Sequence, residues 1–233
     1  IRRVAAVPGV LRIRFTTSHP MDLSDELVRC FAEVPQLMPH FHLPVQHGAD
    51  SVLERMRRRY TIAEYERRIA ALPGHISLTS DIICGFPGET DDEHRKNLEF
   101  LLRTPYDNLF SFIYSPRPHT GAVLKLREWG EVPRAIALRR LEEVQALQAE
   151  RTLRRHRARV GGTVEVLVEE PGFGRSRENW TVHFAGAAGT GDLVRVRVES
   201  ASLVALRGVQ VDLIDRAPRV ELPGRRRLAV VSA

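Results

Sequence analysis

The chain has 233 residues, 43% hydrophobic and 27% charged, with a net charge of +6. That length suits one or two domains with a sizeable core, and the composition excludes disordered and fibrous classes. No apolar run approaches the roughly 20 residues needed to cross a bilayer, and no continuous apolar stretch follows Arg2 and Arg3 as a signal peptide would require.

Cys30 and Cys84 are far apart in sequence. They make neither a disulfide framework nor a metal-ligand spacing, which predicts a reducing, cytoplasmic setting and no metal held by this chain. The chain opens on Ile1, only a few residues ahead of a strand pattern, which predicts further sequence upstream.

The excess charge is localised. Residues 1–132 hold 17 basic and 17 acidic groups, and residues 160–233 hold ten and nine. Residues 133–159 hold eight arginines against three glutamates. A basic helix beside a β-module suits a polyanion partner. A solvated face in an arginine-rich chain, with 33 arginines against two lysines, reads the same way.

The first half alternates strand and helix patterns. Val10–Thr16 reads as a strand, and Ser24 caps a helix with Asp25 and Glu26 in its first turn. Phe41–Val45 is a second strand, followed by helices opening near Asp50 and at the capping box Thr61–Glu64. Ile76–Cys84 is a third strand. Thr90–Glu93 is another capping box, and Leu109–Tyr114 a fourth strand. Repeated β-then-α units predict parallel strands with crossover helices. Four such strands do not close a barrel and would leave unpaired edges.

A long helix spans Pro133 to about Arg157, with Leu138, Leu141, Val144 and Leu147 as its apolar stripe. Thr163–Val168, Trp180–Phe184, Leu193–Glu199 and Val209–Ile214 then alternate as short strands with glycine-containing turns, the pattern of a small all-β barrel. The fold class is therefore α/β: a partial parallel β/α, TIM-like barrel over 1–157, including the connecting helix 133–157, then an OB-like barrel over 158–217 and a basic tail over 218–233.

Several stretches carry chemistry-bearing residues. Gly85-Phe-Pro-Gly-Glu-Thr90 follows the third strand, at the rim where α/β barrels bind ligands. It lacks the Gly-Lys-Ser/Thr ending of a phosphate loop, and Asp91, Asp92 and Glu93 would repel an anion there. A plain strand-to-helix turn and a ligand turn both remain open. His40, His42 and Gln46 fall on one face of their strand and His47 on the other, so they read as hydrogen-bonded histidines rather than a metal site. Ser115-Pro-Arg-Pro-His-Thr120 is a stiff loop offering Arg117 to RNA phosphate or substrate, or simply a rigid turn. Gly174-Arg-Ser-Arg-Glu-Asn179 followed by Trp180–Phe184 mixes arginines, an amide and aromatics, as single-stranded RNA sites do. There the arginines read as contacts and Trp180, Val182 and Phe184 as core.

Together, segments 12–20, 42–50, 58–61, 80–90, 110–120 and 174–184, in this order and spacing, resemble the MiaB family. Its members are radical S-adenosylmethionine enzymes that methylthiolate an isopentenylated adenosine beside the tRNA anticodon. The Thr-Ser-His-Pro after the first strand and the segment at 174–179 resemble MiaB more than its sister family RimO, which modifies a ribosomal protein. The final β-module resembles a TRAM domain, which binds tRNA.

The resemblance implies a parent transferase with S-adenosylmethionine and two [4Fe-4S] clusters, and with the tRNA anticodon stem-loop and donors of sulfur and electrons as partners. It implies a cytoplasmic, monomeric protein with no membrane partner. The cluster cysteines are not in this chain, so it is expected to be the later, by itself inactive, part of the barrel plus TRAM. It further implies cofactor-facing roles for Gln46, His47, Ser80, Asp81, Gly85, Gly88 and Glu89. It implies RNA contacts for Arg117, Arg154, Arg155, Arg175, Arg177 and Asn179. His47 and His119 depart from the usual serine and glycine. The alternatives are a RimO-like enzyme and a non-catalytic RNA-binding fragment.

Overall fold

The computed structural model describes residues 1–16 and 19–217; the expected basic tail lies outside these. The elements run α1 (Arg2–Ala5), a 3-10 turn (Pro20–Asp22), α2 (Asp25–Glu33), β1 (His40–His42), α3 (Asp50–Arg55), α4 (Ile62–Ala70), β2 (Ser77–Cys84), α5 (Asp91–Arg103), β3 (Asn108–Ile113), α6 (Gly121–Leu124), α7 (Leu126–Trp129) and α8 (Arg134–Arg157). Then come β4 (Thr163–Glu170), β5 (Phe173–Ser176), β6 (Thr181–Ala185), β7 (Leu193–Ala201) and β8 (Leu206–Asp215).

Local chemistry sets the helix starts. The Ser24 hydroxyl accepts from Leu27 N, and Thr61 and Thr90 form full capping boxes with Glu64 and Glu93. The strands β1, β2 and β3 pair in parallel in that order. Alternation divides β2 between two environments. Leu78, Ser80, Ile82 and Cys84 are buried, while Asp81 and Ile83 are half-exposed on the open face beside Phe110 and Phe112 of β3.

The segment Val10–Thr16 differs from expectation. It is extended but touches its neighbours only through isolated bridges, Ile13 to Leu37 and Thr16 to His42. Its partner stretch contains Pro35 and Pro39, which lack the N–H a ladder needs. The first strand of the sheet is therefore β1, shorter than predicted. Beyond it, the Ser80 hydroxyl takes over from the ladder, accepting from Val45 N at 2.9 Å and donating to Leu43 O at 2.8 Å.

α8 packs on the sheet partly through the expected stripe, with Val144 buried and Leu141 and Leu147 packed against the core, and partly through polar residues. Its buried residues are Ala137, Arg140, Val144, Gln148, Thr152 and His156, whereas Leu138 is exposed. The polar members find partners, though Arg140 Nε and Gln148 Oε1 are buried with no hydrogen bond among the described residues. Gln148 and Thr152 donate to Asp107 O at 3.0 and 2.9 Å, and Arg151 donates to the C-terminal carbonyls of α5 at Leu101 and Leu102 (2.8 and 2.7 Å).

The remaining strands close a five-stranded barrel in the order β4-β5-β6-β8-β7. Val164, Val166, Val168, Val182, Phe184, Val194, Val196, Val198 and Leu206 fill it by strict alternation. β5 is a strand the sequence did not announce. Gly174 sits in it because a Cβ there would lie 2.2 Å from Leu167 O, so glycine marks a close backbone approach rather than a loop. Trp180 packs against the barrel core but is only partly buried, at the barrel's edge, with the His156 ring 5.7 Å away and the Arg159 guanidinium 4.8 Å over its face.

The two parts are tied together by side chains of the extended segment. Arg12 donates to Arg175 O at 2.8 Å and to the Glu165 carboxylate at 2.9 Å, and Arg14 donates to Ser176 O at 2.5 Å. Burial, with the neighbouring Arg12 and Arg175, lowers the Arg14 pKa to about 10.

Candidate functional site

At the C-terminal ends of β2 and β3 lies a cavity of about 580 Å³. Its walls are Gln46, Asp81, Ile83, Phe86, Phe112 and Tyr114 on the sheet side, and Met56, Arg57, Arg58, Arg117, Thr120 and Ala122 on the rim. Gln46 has φ 75, a left-handed backbone that a non-glycine residue adopts only when held there. Its N–H donates to Asp81 O and its carbonyl accepts from Ile83 N, both at 2.9 Å. The Tyr114 hydroxyl is buried with no partner among the described residues. The cavity thus offers an aromatic end (Phe86, Phe112, Tyr114), one carboxylate at Asp81, and three guanidiniums with no ion pair among the described residues. That donor set fits a compact ligand combining an aromatic group with charges of both signs.

A second cavity, about 620 Å³, continues from the first: Asp81 and Phe112 line both. It runs along the open sheet face past His40, His42, Thr79 and Phe110 to the small barrel, where Arg175, Asn179, Trp180 and Thr181 line it. His42 Nδ1 lies 3.0 Å from Thr79 Oγ1 and its Nε2 lies 3.6 Å from Asp81. Burial, assisted by Arg14, pulls the His40 pKa down to about 4, so its ring is neutral.

Of the residues expected to face a cofactor, Gln46 and Asp81 line the cavity. Ser80, His47, Gly85, Gly88 and Glu89 are placed elsewhere. Ser80 points to the helix side of the sheet, as described above. His47 and Glu89 are fully buried behind the turn, with His47 Nε2 3.4 Å from Glu89 Oε1. The other Glu89 oxygen accepts from Gly85 N at 2.5 Å and Phe86 N at 3.1 Å and lies 3.5 Å from Arg140 of α8. Burial would raise the Glu89 pKa, but His47, Arg140 and the Gly85 N–H together hold it below the ordinary carboxylate value. Gly85 is glycine because a Cβ would meet Ala137 Cβ at 2.5 Å, and at Gly88 one would lie 2.9 Å from Trp129 O. The turn is packed against the chain's own helices, and only Phe86 presents its side chain to the cavity.

Of the expected RNA contacts, Arg175 and Asn179 lie in the trough, the latter with φ 72. Arg177 lies 3.5 Å from Glu165, Arg155 is paired with Asp107, and Arg154 is exposed with Glu150 at 3.8 Å. Arg117 lines the first cavity rather than the trough. The sequence reading passed over Arg57, Arg58 and Tyr114; the run Arg57-Arg-Arg59 just after α3 was the available clue.

No cluster ligands converge among the described residues: no group of three or more His, Cys, Asp or Glu could hold a metal ion. Both cysteines are buried, and burial with nearby Glu89 raises the Cys84 thiol to about 12. The residues present do not fit an iron–sulfur cluster. No helix is long and apolar enough to cross a membrane among the described residues.

A parallel α/β sheet with its cavity at the strand C-termini, joined to a small closed β-barrel, defines the class. Residues 1–101 match the model of the Radical SAM superfamily. More particularly, the chain is a relative of proteins named tRNA-2-methylthio-N(6)-dimethylallyladenosine synthase. It is 49% identical over 230 residues to the one from Myxococcus xanthus (strain DK1622), covering 94% of this chain and 49% of that protein. It is 52% identical over 224 residues to that of Anaeromyxobacter sp. (strain Fw109-5), covering 89% and 48%. The chain spans about half the length of these relatives. Among solved structures, coproporphyrinogen III oxidase (HemN) from Escherichia coli aligns over 57% of this chain and 31% of its own, at 18% identity and a TM-score of 0.44. That likeness is too distant to add to the case.

Proposed function

We propose that this chain is the cofactor-walling and RNA-gripping part of a cytoplasmic radical S-adenosylmethionine tRNA methylthiotransferase, acting on an N6-dimethylallylated adenosine near the anticodon. Residues 1–157 are its radical-domain portion and 158–217 a TRAM module. The supporting observation is the unbroken path from the cavity at Gln46 and Asp81 to the barrel at Arg175 and Asn179, in a chain whose relatives carry that name.

Bound S-adenosylmethionine supplies the radical and the methyl group in this chemistry. The chain's own residues hold it. Phe86, with Tyr114 edge-on to it, would wall the adenine, Asp81 would face the ammonium and an arginine of the rim the carboxylate. Gln46, fixed by two backbone bonds, shapes the wall between. His47, Glu89, Gly85 and Gly88 keep the turn in place from behind. Arg175 and Asn179, with the exposed Arg154, take the RNA.

Two binding titrations on the complete protein test this. Affinity for an anticodon stem-loop is expected to fall steeply with salt, and Arg175→Gln to reduce the log–log slope by about 1. Asp81→Asn is expected to weaken S-adenosylmethionine at least tenfold and leave RNA affinity unchanged. Salt-independent RNA binding, or cofactor binding indifferent to Asp81, would remove the corresponding half of the proposal.

A further inference from the structure

Beyond the trough, the outer face of the barrel carries a row of side chains running across three strands. Phe173 on β5 is in register with His183 on β6, and His183 with Arg207 on β8. Their neighbours in register, Val182 and Leu206, point into the core, so these three point outward. The Phe173 and His183 rings sit 5.2 Å apart, tilted by 49°. Arg207 is exposed and has no ion pair among the described residues. Arg175, already in the trough, lies two residues from Phe173 along the same strand, about 7 Å at the rise of a β-strand.

Three carboxylates lie nearby. Glu169 is 3.5 Å from Arg175, and Glu170 is opposite Phe173 on β4. Glu199, at the β7 bulge beside Arg207, lies 3.7 Å from Arg197. Glu169 and Glu170 are on the β4 side and Glu199 is engaged by Arg197, which leaves Arg207 and His183 to face an anion. An aromatic pair flanked by guanidiniums matches an unstacked base with its phosphate, since every base has a π-face and the sugar–phosphate chain is negative.

We infer that Phe173, His183 and Arg207 form a second RNA contact, a platform on which a base next to the one in the trough stacks while Arg207 receives its phosphate. This rests on the reading that the barrel grips RNA, and it adds residues that reading did not include. The path has a direction: from the cavity, through the trough, across Arg175 and out over the platform.

The test measures binding of the complete protein to a labelled anticodon stem-loop and to a blunt duplex of the same stem, at several salt concentrations. Phe173→Leu keeps an apolar side chain but removes the ring. It is expected to weaken loop binding about tenfold, within the range for one stacked base, with duplex binding and salt slope unchanged. Arg207→Gln is expected to lower the salt slope by about 1 on both RNAs. A 2-aminopurine placed in the loop is expected to be quenched by the wild type and not by Phe173→Leu. If the wild type binds with a steep salt slope and both variants match it, the platform is refuted and the RNA reading stands. If Phe173→Leu loses duplex and loop equally, the ring is only structural and the inference fails. If the wild type shows no salt-dependent binding, the RNA reading itself falls and takes the platform with it.

Discussion

Glu89→Gln is the substitution in which the structure makes its most quantitative claim. The carboxylate is fully buried, and around it stand the N–H groups of Gly85 and Phe86, the His47 ring, and Arg140, whose side chain is only 3% exposed. Glutamine keeps an oxygen for the backbone N–H groups but removes the charge. Arg140 then keeps the Glu89 backbone carbonyl and Asp91, both at 2.9 Å, and the Asp91 side chain is itself 80% exposed and largely in water. Breaking one partner of a buried pair costs about 3–5 kcal/mol; the surviving Asp91 contact places this one at the lower end, about 3 kcal/mol. Removing both charges together while keeping that oxygen, as Glu89→Gln with Arg140→Met, should recover most of that loss, because the cost lies in the stranded cation.

The assay follows from the positions of the two tryptophans. Trp129 packs beside Phe86 near the turn, and Trp180 lies at the barrel's edge. In a Trp180→Phe background, urea unfolding followed by Trp129 fluorescence reports the sheet part alone, which matters because two packed units need not unfold as one. Glu89→Gln should move the midpoint sharply down, and the double variant should move it most of the way back. A Glu89→Gln midpoint equal to the parent's would refute the charge cluster as a structural clamp. A double variant worse than the single one would refute the account of Arg140.

Two further outcomes follow from the packing. Gly174→Ala puts a methyl group 2.2 Å from Leu167 O and 2.7 Å from Val166 Cγ1, and overpacking of this kind costs about 1–3 kcal/mol; the Trp180 transition should fall while the Trp129 transition stays, and an unmoved Trp180 transition would contradict the close approach. In acid, two groups act in adjacent windows. His40 is depressed to about 4 from an ordinary 6.5 by burial and Arg14, so the unfolded chain takes up a proton first and stability falls as pH drops between those values. Glu93 is opposed by its burial but held by Arg55, Ser51 and the Thr90 N–H at about 2, against an ordinary 4.5; its contribution is present above 4.5 and lost as pH falls toward 2. His40→Asn should flatten the upper limb and Glu93→Gln the lower, read from urea midpoints across the pH series.

Much of the fold was legible because it depended on local rules. The capping boxes at Thr61 and Thr90, the switch from helical to strand periodicity after Arg157, and the parallel order β1-β2-β3 all follow from patterns within a few residues. What was not legible depended on distant partners. β5 reads as an arginine-rich loop because Gly174 breaks the strand pattern, and only the approach of Leu167 O explains the glycine. The buried face of α8 reads as a leucine stripe, yet Arg140, Gln148 and His156 are inside as well, since their partners Glu89, Asp107 and Ser202 lie 41–51 residues away in sequence. The site divided the same way. Alternation placed Asp81 on the open face, but the same rule put its neighbour Ser80 behind the sheet, and the motif-like run at 85–89 owes its glycines to Ala137 and Trp129.

The arginine helix shows why charge counted along a sequence overstates a binding surface. Of the eight arginines in 133–159, Arg140 is buried against Glu89 and Asp91, Arg151 closes the end of α5, Arg155 is held by Asp107, and Arg139 lies near Asp91 and Glu143. Arg159 covers Trp180. The helix therefore works mainly as a strut: one end fixes the glycine turn behind the cavity and the other meets the barrel through His156, which lies 2.8 Å from Ser202 O. Together with Arg12 and Arg14, it sets where the trough begins relative to where the cavity ends. A polyanion would then be read largely by residues of the barrel, among them Arg175 and Arg207, and the helix would govern how that polyanion is aimed. On this view, loosening the strut at Arg140 or His156 should leave RNA affinity nearly intact while weakening the coupling between RNA binding and cofactor binding, which titrating each ligand in the presence of the other measures directly.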